Sequence, residues 1–158
     1  MPIQCDIVTQ ERTVFSEQVD AVNLPSPEGR MGILPNHMVM LTALTFGEVV
    51  VRRGGEEEYF AIGGGFAEIL PHKVTILADS AEHAEEIDVD RAQRAREEAE
   101  RAMREGVVVD STSYAQIEAA LRRAQVRIDV SRRRSGAGRR QRIVPAGRPD
   151  RPDTEEEL

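Results

Sequence analysis

Asp88 and Arg91 stand three residues apart at the start of a helical pattern, where an acidic N-cap and a guanidinium one turn on can hold an anion or a sugar hydroxyl. The plainer alternative is that Asp88 only caps the helix and Arg91 pairs with Glu85 or Glu86 on a solvated face. A second charged set, Arg122, Arg123 and Arg127, continues into Arg132 to Arg134 as a basic stripe. Such a stripe can meet carboxylates of a partner or a phosphate chain, or simply answer the acids of the preceding helix. Nucleic acid is not expected, because Tyr114 is the single aromatic residue available there for base stacking.

Other chemistry finds little footing. His37, His72 and His83 are far apart and lack acidic or cysteine neighbours at metal-ligand spacing, so no metal site is expected. There is no GxSxG elbow for a serine nucleophile. The run Gly63 to Gly65 precedes Phe66 and a strand, not a helix, so it reads as a bulge or tight turn and not as a phosphate loop. The chain is therefore not expected to be an enzyme. Cys5 is the only cysteine and, on an alternating strand, reads as a small buried apolar residue.

The elements that would position these residues fall into two modules. Over residues 1–86 apolar side chains recur at a period near two: Ile3, Cys5 and Ile7; Val19 to Leu24; Val49 to Val51; Tyr59 to Ile62; Phe66 to Leu70; Val74 to Leu77. Turn chemistry separates them at Pro25 to Gly29, Pro35-Asn36, Gly54-Gly55, Gly63 to Gly65 and Pro71-His72. Short strands so often punctuated predict an antiparallel β sandwich or flattened barrel.

At Ile87 the period changes. Asp88 caps a helix in which Ala92, Ala95, Ala99 and Ala102 form one small-residue face, and Gly106 ends it. Ser113 and Gln116 make a capping box for a second helix striped by Ile117, Leu121, Ala124 and Ile128. The two are expected to pair as an antiparallel hairpin over residues 87–130. Residues 131–158 are Arg- and Pro-rich with little to bury, and read as a disordered tail.

Charge follows the modules. The net charge is −7, but residues 1–86 carry 14 acidic and 5 basic side chains while 131–158 carry 5 and 8, and every basic residue except Lys73 is arginine. Directional, bidentate contacts are thus favoured over diffuse attraction. No stretch of 18 apolar residues and no signal-like N-terminus is present, so a soluble, cytoplasmically made chain without membrane insertion is expected.

Three stretches, GRMGILPNHMVMLTAL from Gly29, GGGFAEILPHKVTILADSAEHAEEID from Gly63 and SYAQIEAALRRAQ from Ser113, closely resemble the epsilon subunit of bacterial F-type ATP synthase, and the likeness runs from about residue 2 to residue 130. The resemblance implies a central-stalk rotor subunit, bound to the gamma subunit and to the polar loops of the c ring, peripheral to the cytoplasmic face of the plasma membrane. It also implies a movable hairpin that, extended into the alpha/beta catalytic head, blocks ATP hydrolysis. The loop around His37, with Arg30 close by, resembles the surface that faces the c ring, although the family usually has an acid at Arg30 and glycine at Asn36. Members that bind regulatory ATP carry Ile/Leu-Asp-x-x-Arg-Ala, present here as Ile87, Asp88, Arg91 and Ala92, with Glu82, Arg123 and Arg127 at further matching positions. Glu98 and Gln116 stand where those members have arginine. No cofactor is required under this reading. The competing function is a non-rotary adaptor joining two partners through sandwich and hairpin.

Overall fold

A computed structural model describes residues 1–106 and 111–137, the side chains of 134–137 excepted. Eight strands come first: β1 (Ile3–Val8), β2 (Thr13–Val19), β3 (Ala21–Ser26), β4 (Gly29–Ile33), β5 (Met40–Arg53), β6 (Glu56–Leu70), β7 (Lys73–Ala78) and β8 (Ala81–His83). A single 3₁₀ turn at Ala84–Glu86 then leads to α1 (Val89–Glu105) and α2 (Ser111–Ala137). The sheet order is β2-β1-β7-β6-β5-β3-β4, with β8 on β6.

Two long strands make this one sheet into two layers. The first half of β6 pairs with β8 and the second half of β5, which in turn holds β3; the second half of β6 pairs with β7 and the first half of β5. The fold agrees with the expected sandwich, with one correction: β1 and β7 run parallel, Cys5 beside Val74 and Ile7 beside Ile76. Parallel partners need a long intervening segment, which here is most of the domain, and short-range turn signals cannot announce such a pair. β2 and β4 also escaped the periodicity, since Ser16, Glu17 and Gln18 put three exposed polar residues in succession and Gly29 and Gly32 dilute β4.

The three glycines do not separate two strands. β6 passes through them unbroken and in constant register with β5, Phe46 facing Gly63 and Leu44 facing Gly65. What changes is the face. Before the glycines Phe60 and Ile62 point inward; after them Ala67 and Ile69 do, and Phe66 is turned outward at 56% exposure. Gly64 and Gly65, at φ 107° and 117°, shift the alternation by one residue. A Cβ on Gly65 would lie 2.1 Å from the Leu77 carbonyl oxygen, so β7 can cross only a glycine there.

Ile3, Cys5, Ile7, Val22, Leu24, Phe60, Ile69 and Ile76 are fully enclosed between the layers, with Phe15 edge-on to Phe60. A smaller cluster lies outside: Ala61 of β6, Ala84, Ile87 and Val130, flanked by Tyr59 and Val126. It seats the hairpin. At 100° per residue Val126 and Val130 lie on one side of α2, and Ile117, Leu121, Ala124 and Ile128 on the other. α2 therefore packs on the sandwich with its first stripe, and α1 packs on α2, burying Ala92 and Ala99. The hairpin is folded down.

Asp88 caps α1 by accepting from the Arg91 backbone N–H at 3.0 Å, and Gly106 ends it in the left-handed conformation at φ 61°. α2 starts at Ser111, two residues ahead of the expected capping box, and does not stop at Val130. Val130 and Ser131 are buried and Ser131 Oγ donates to the Ile128 carbonyl, so contact with the sandwich carries the helix through residues first assigned to the tail. The remainder of that tail, 138–158, lies outside the described residues.

Candidate functional site

Where α2 crosses the junction of β6 and β8, a shallow cleft, open to solvent, is lined by Ala61, Ile62, Gly63, Ser80, Glu82, Arg123, Val126 and Arg127. β8 presents Glu82 beside Ala61 of β6, and α2 brings Arg123 and Arg127, one turn apart, over the same spot. Glu82 and Arg127 meet at two points, Nε to Oε2 at 2.9 Å and Nη2 to Oε1 at 3.0 Å, both side chains about one-third exposed. Arg123 lies with its guanidinium carbon 5.8 Å from the Phe46 ring centroid.

The structure thus gathers three of the seven residues singled out for nucleotide binding. The other four do not line the cleft. Ile87 is buried beneath the hairpin, Ala92 is buried on α1, Asp88 caps the helix, and Arg91 is exposed on its first turn. Glu86, weighed above as a partner for Arg91, instead binds Arg12 of the β1–β2 turn at 2.6 Å. That hydrogen bond, against the opposing pull of burial, holds the Glu86 carboxyl below its ordinary range. Chemically, the cleft has two guanidinium groups and one carboxylate facing solvent, a setting for a phosphorylated ligand that can compete for Arg127.

Gly63 and Ser80 were missed as part of this wall. A Cβ on Gly63 would come within 2.0 Å of Ser80 Oγ, so the glycine run makes room for the serine as well as bending the strand.

The second candidate region lies at one end of the sandwich. The turn after β4 places Asn36 at φ 63°, a conformation asparagine tolerates and glycine favours, which gives physical sense to the glycine expected there. His37 Nδ1 donates to the Met38 carbonyl at 2.8 Å. Arg30 is turned to Glu48 of β5 in an ion pair, so both expected residues are near the surface but Arg30 already has an acidic partner. Unforeseen from the sequence is the apolar character of this end: Leu34, Met38 and Val39 are 62%, 73% and 66% exposed. On the layer facing away from the hairpin, register aligns Ala43, Phe66, Leu77 and Val8 in one row across four strands, with Leu41 beside it. Exposed apolar surface this continuous is the mark of a protein-binding face.

His83 lies elsewhere, 3.2 Å from Glu58 and edge-on to Phe60. Among the described residues no three His, Cys, Asp or Glu side chains converge as metal ligands, and no helix is long and apolar enough to cross a membrane.

A sandwich with a helical hairpin laid on one face and a bare apolar row on the other defines a two-module subunit built for assembly with other chains. The comparisons give the family. Residues 2–84 match the beta-sandwich domain of the ATP synthase delta/epsilon chain and residues 85–132 its long alpha-helix domain. The ATP synthase epsilon chain of Herpetosiphon aurantiacus is 53% identical over 134 residues, covering 85% of this chain and 97% of that one. That of Dehalococcoides mccartyi strain BAV1 is 48% identical, covering 84% and 94%. Among solved structures, a chain of the Euglena gracilis mitochondrial ATP synthase, in an OSCP/F1/c-ring assembly, aligns at TM-score 0.69 and 29% identity over 78% of each chain. A chain of the Tetrahymena thermophila central stalk and c ring shares the fold at TM-score 0.61 and 10% identity, covering 83% and 97%. The protein belongs to the epsilon-chain family of ATP synthase.

Proposed function

We propose that this chain is a non-catalytic rotor subunit of a bacterial F-type ATP synthase, coupling c-ring rotation to ATP synthesis and restraining ATP hydrolysis through its hairpin. The observation that carries the reading is the division of labour between faces: a small hairpin seat on one layer and, on the other, the row of exposed Ala43, Phe66 and Leu77 that runs on to half-buried Val8. The apolar row would seat gamma, and the end bearing Arg30, His37 and Met38 would meet the polar loops of the c ring at the cytoplasmic face of the membrane. The hairpin, released, would reach the alpha/beta head.

Few large side chains hold the hairpin down. Ile87 and Val130 contribute roughly 1.5–3 kcal/mol each by burial and the alanines less, a sum that a bound ligand or partner can match. ATP is the proposed regulatory ligand, its phosphates taken by Arg123 and Arg127 in the cleft and Arg91 closing from α1. Glu82 already occupies Arg127, and Glu98 and Gln116 replace two arginines of the nucleotide-binding members, so the affinity is weak.

The assembly reading is tested by copurification of the chain with gamma and a c ring, with Phe66→Asp abolishing the association. Association with neither partner would overturn it in favour of a free-standing adaptor. The nucleotide reading predicts that ATP raises the melting temperature of the isolated chain and that Arg91→Ala removes the rise. Calorimetry showing no binding at millimolar ATP would sink it.

A further inference from the structure

Glu48 belongs to two parts of the molecule at once. It lies on β5 directly opposite Ala61 of β6, on the face that the hairpin covers, with its side chain only 12% exposed. One carboxylate oxygen, Oε1, accepts from Arg30 Nη2 of β4. The other, Oε2, lies 3.4 Å from Arg133 Nε at the far end of α2. A sandwich residue and a hairpin residue therefore share one carboxylate, each on its own oxygen.

The position of Arg133 is set by the helix. It follows Val126 by seven residues and Val130 by three, so it continues the stripe with which α2 meets the sandwich. The family match ends at residue 132, one residue short of it. The contact thus comes from the last turns of α2.

We propose that Glu48, Arg30 and Arg133 form a reversible latch for the hairpin. Arg133 is the moving part, Glu48 the catch, and Arg30 a standing counter-charge. The third role decides reversibility. Removing the partner of a shielded carboxylate is ordinarily very unfavourable because the charge is left uncompensated. Here the departing hairpin takes only Arg133 with it, and Glu48 remains paired with Arg30 on its own layer. The latch adds directional hold at the tip of α2 without making release prohibitive. It deepens the proposed regulatory function and depends on that function for its consequence, but the latch itself is a property of the free chain.

Hydrogen exchange on the full chain tests it. Arg133→Gln is expected to speed exchange of the α2 amides around Val126 to Val130 roughly fivefold, the scale of one partly exposed ion pair, while amides of β1, β6 and β7 keep their rates. The same substitution in a Glu48→Gln background should add nothing. Sodium chloride at about 1 M, where charges are screened beyond roughly 3 Å, should speed α2 exchange in the native chain more than in Arg133→Gln, where of these two ion pairs to the sandwich the Glu82–Arg127 clasp alone remains to be screened. Arg30→Gln should enlarge the effect of losing Arg133, since Glu48 then has no second partner. Unchanged α2 exchange in Arg133→Gln, or an equal effect with and without Glu48, would overturn the latch. Neither result touches the assembly reading, which is read from copurification, and failure to bind gamma leaves the exchange result standing.

Discussion

Glu82 and Arg127, 45 residues apart, clasp at two points and tie β8 of the sandwich to the middle of α2. Both side chains keep about a third of their surface in water, so the pair is screened in part. A double-mutant cycle of Glu82→Gln and Arg127→Gln in urea unfolding should give a coupling of about 1 kcal/mol, the upper range for exposed pairs. A coupling indistinguishable from zero would mean that the clasp positions the cleft without holding the hairpin.

The hairpin should come off before the sandwich unfolds. Val130→Asp puts a carboxylate into the seat formed by Ala61, Ala84 and Ile87. Expected are loss of exchange protection in α1 and α2 and native-like protection in β1, β6 and β7. Global unfolding in a single step would show instead that sandwich and hairpin are one cooperative unit.

Gly63→Ala should destabilise the chain by about 2–3 kcal/mol through the clash with Ser80 Oγ, and Ser80→Gly in the same chain should recover most of it. Gly65→Ala has no such rescue, because the obstruction is the Leu77 carbonyl and the backbone there is at φ 117°. Thermal melts of the three variants distinguish the two cases.

Asp6 gives the sandwich a pH dependence. Burial alone would raise its carboxyl, but hydrogen bonds from Lys73, Gln4 and Ser16, together with the Lys73 charge, bring it below the ordinary value. A lowered folded-state value stabilises fully above the unfolded-state value, about pH 4, and the contribution is lost as pH falls through the folded-state value. Asp6→Asn should therefore melt lower than the native chain at pH 7, and the gap should narrow in melts recorded below pH 4.

Cys5 reports on global opening. It is fully enclosed between β2 and β7, and burial, aided by the neighbouring Asp6 charge, pushes its thiol up to about 12. An aromatic disulfide reagent at pH 8 should label it only at the rate of unfolding, and in Val130→Asp that rate should be unchanged if the hairpin leaves alone.

Much of this molecule is written in signals that act over three or four residues. The change of period at Ile87, the Asp88 cap and the Gly106 terminus follow from the local competition between backbone and side-chain hydrogen bonds, which any folded context preserves. The burial of Cys5 follows likewise from strand alternation. The family likeness belongs here too, since it rests on residues in order along the chain.

What the tertiary structure decided is which distant groups meet. With 28 acidic and 21 basic side chains, the sequence holds far more possible pairs than the fold can make. Asp88 and Arg91 drew notice by their spacing, yet the cleft is built by Glu82, Arg123 and Arg127. Strand register and the rotation of α2 choose among the candidates; α2 is seated by burial of Val130 against Ala61 and Ile87. The same holds for Phe66, which alternation alone leaves ambiguous until two left-handed glycines turn it to solvent. Glu48 and Arg133 are 85 residues apart and carry no local signal of each other. Only packing, which fixes distance and orientation together, could bring that carboxylate within reach of both a strand and a helix.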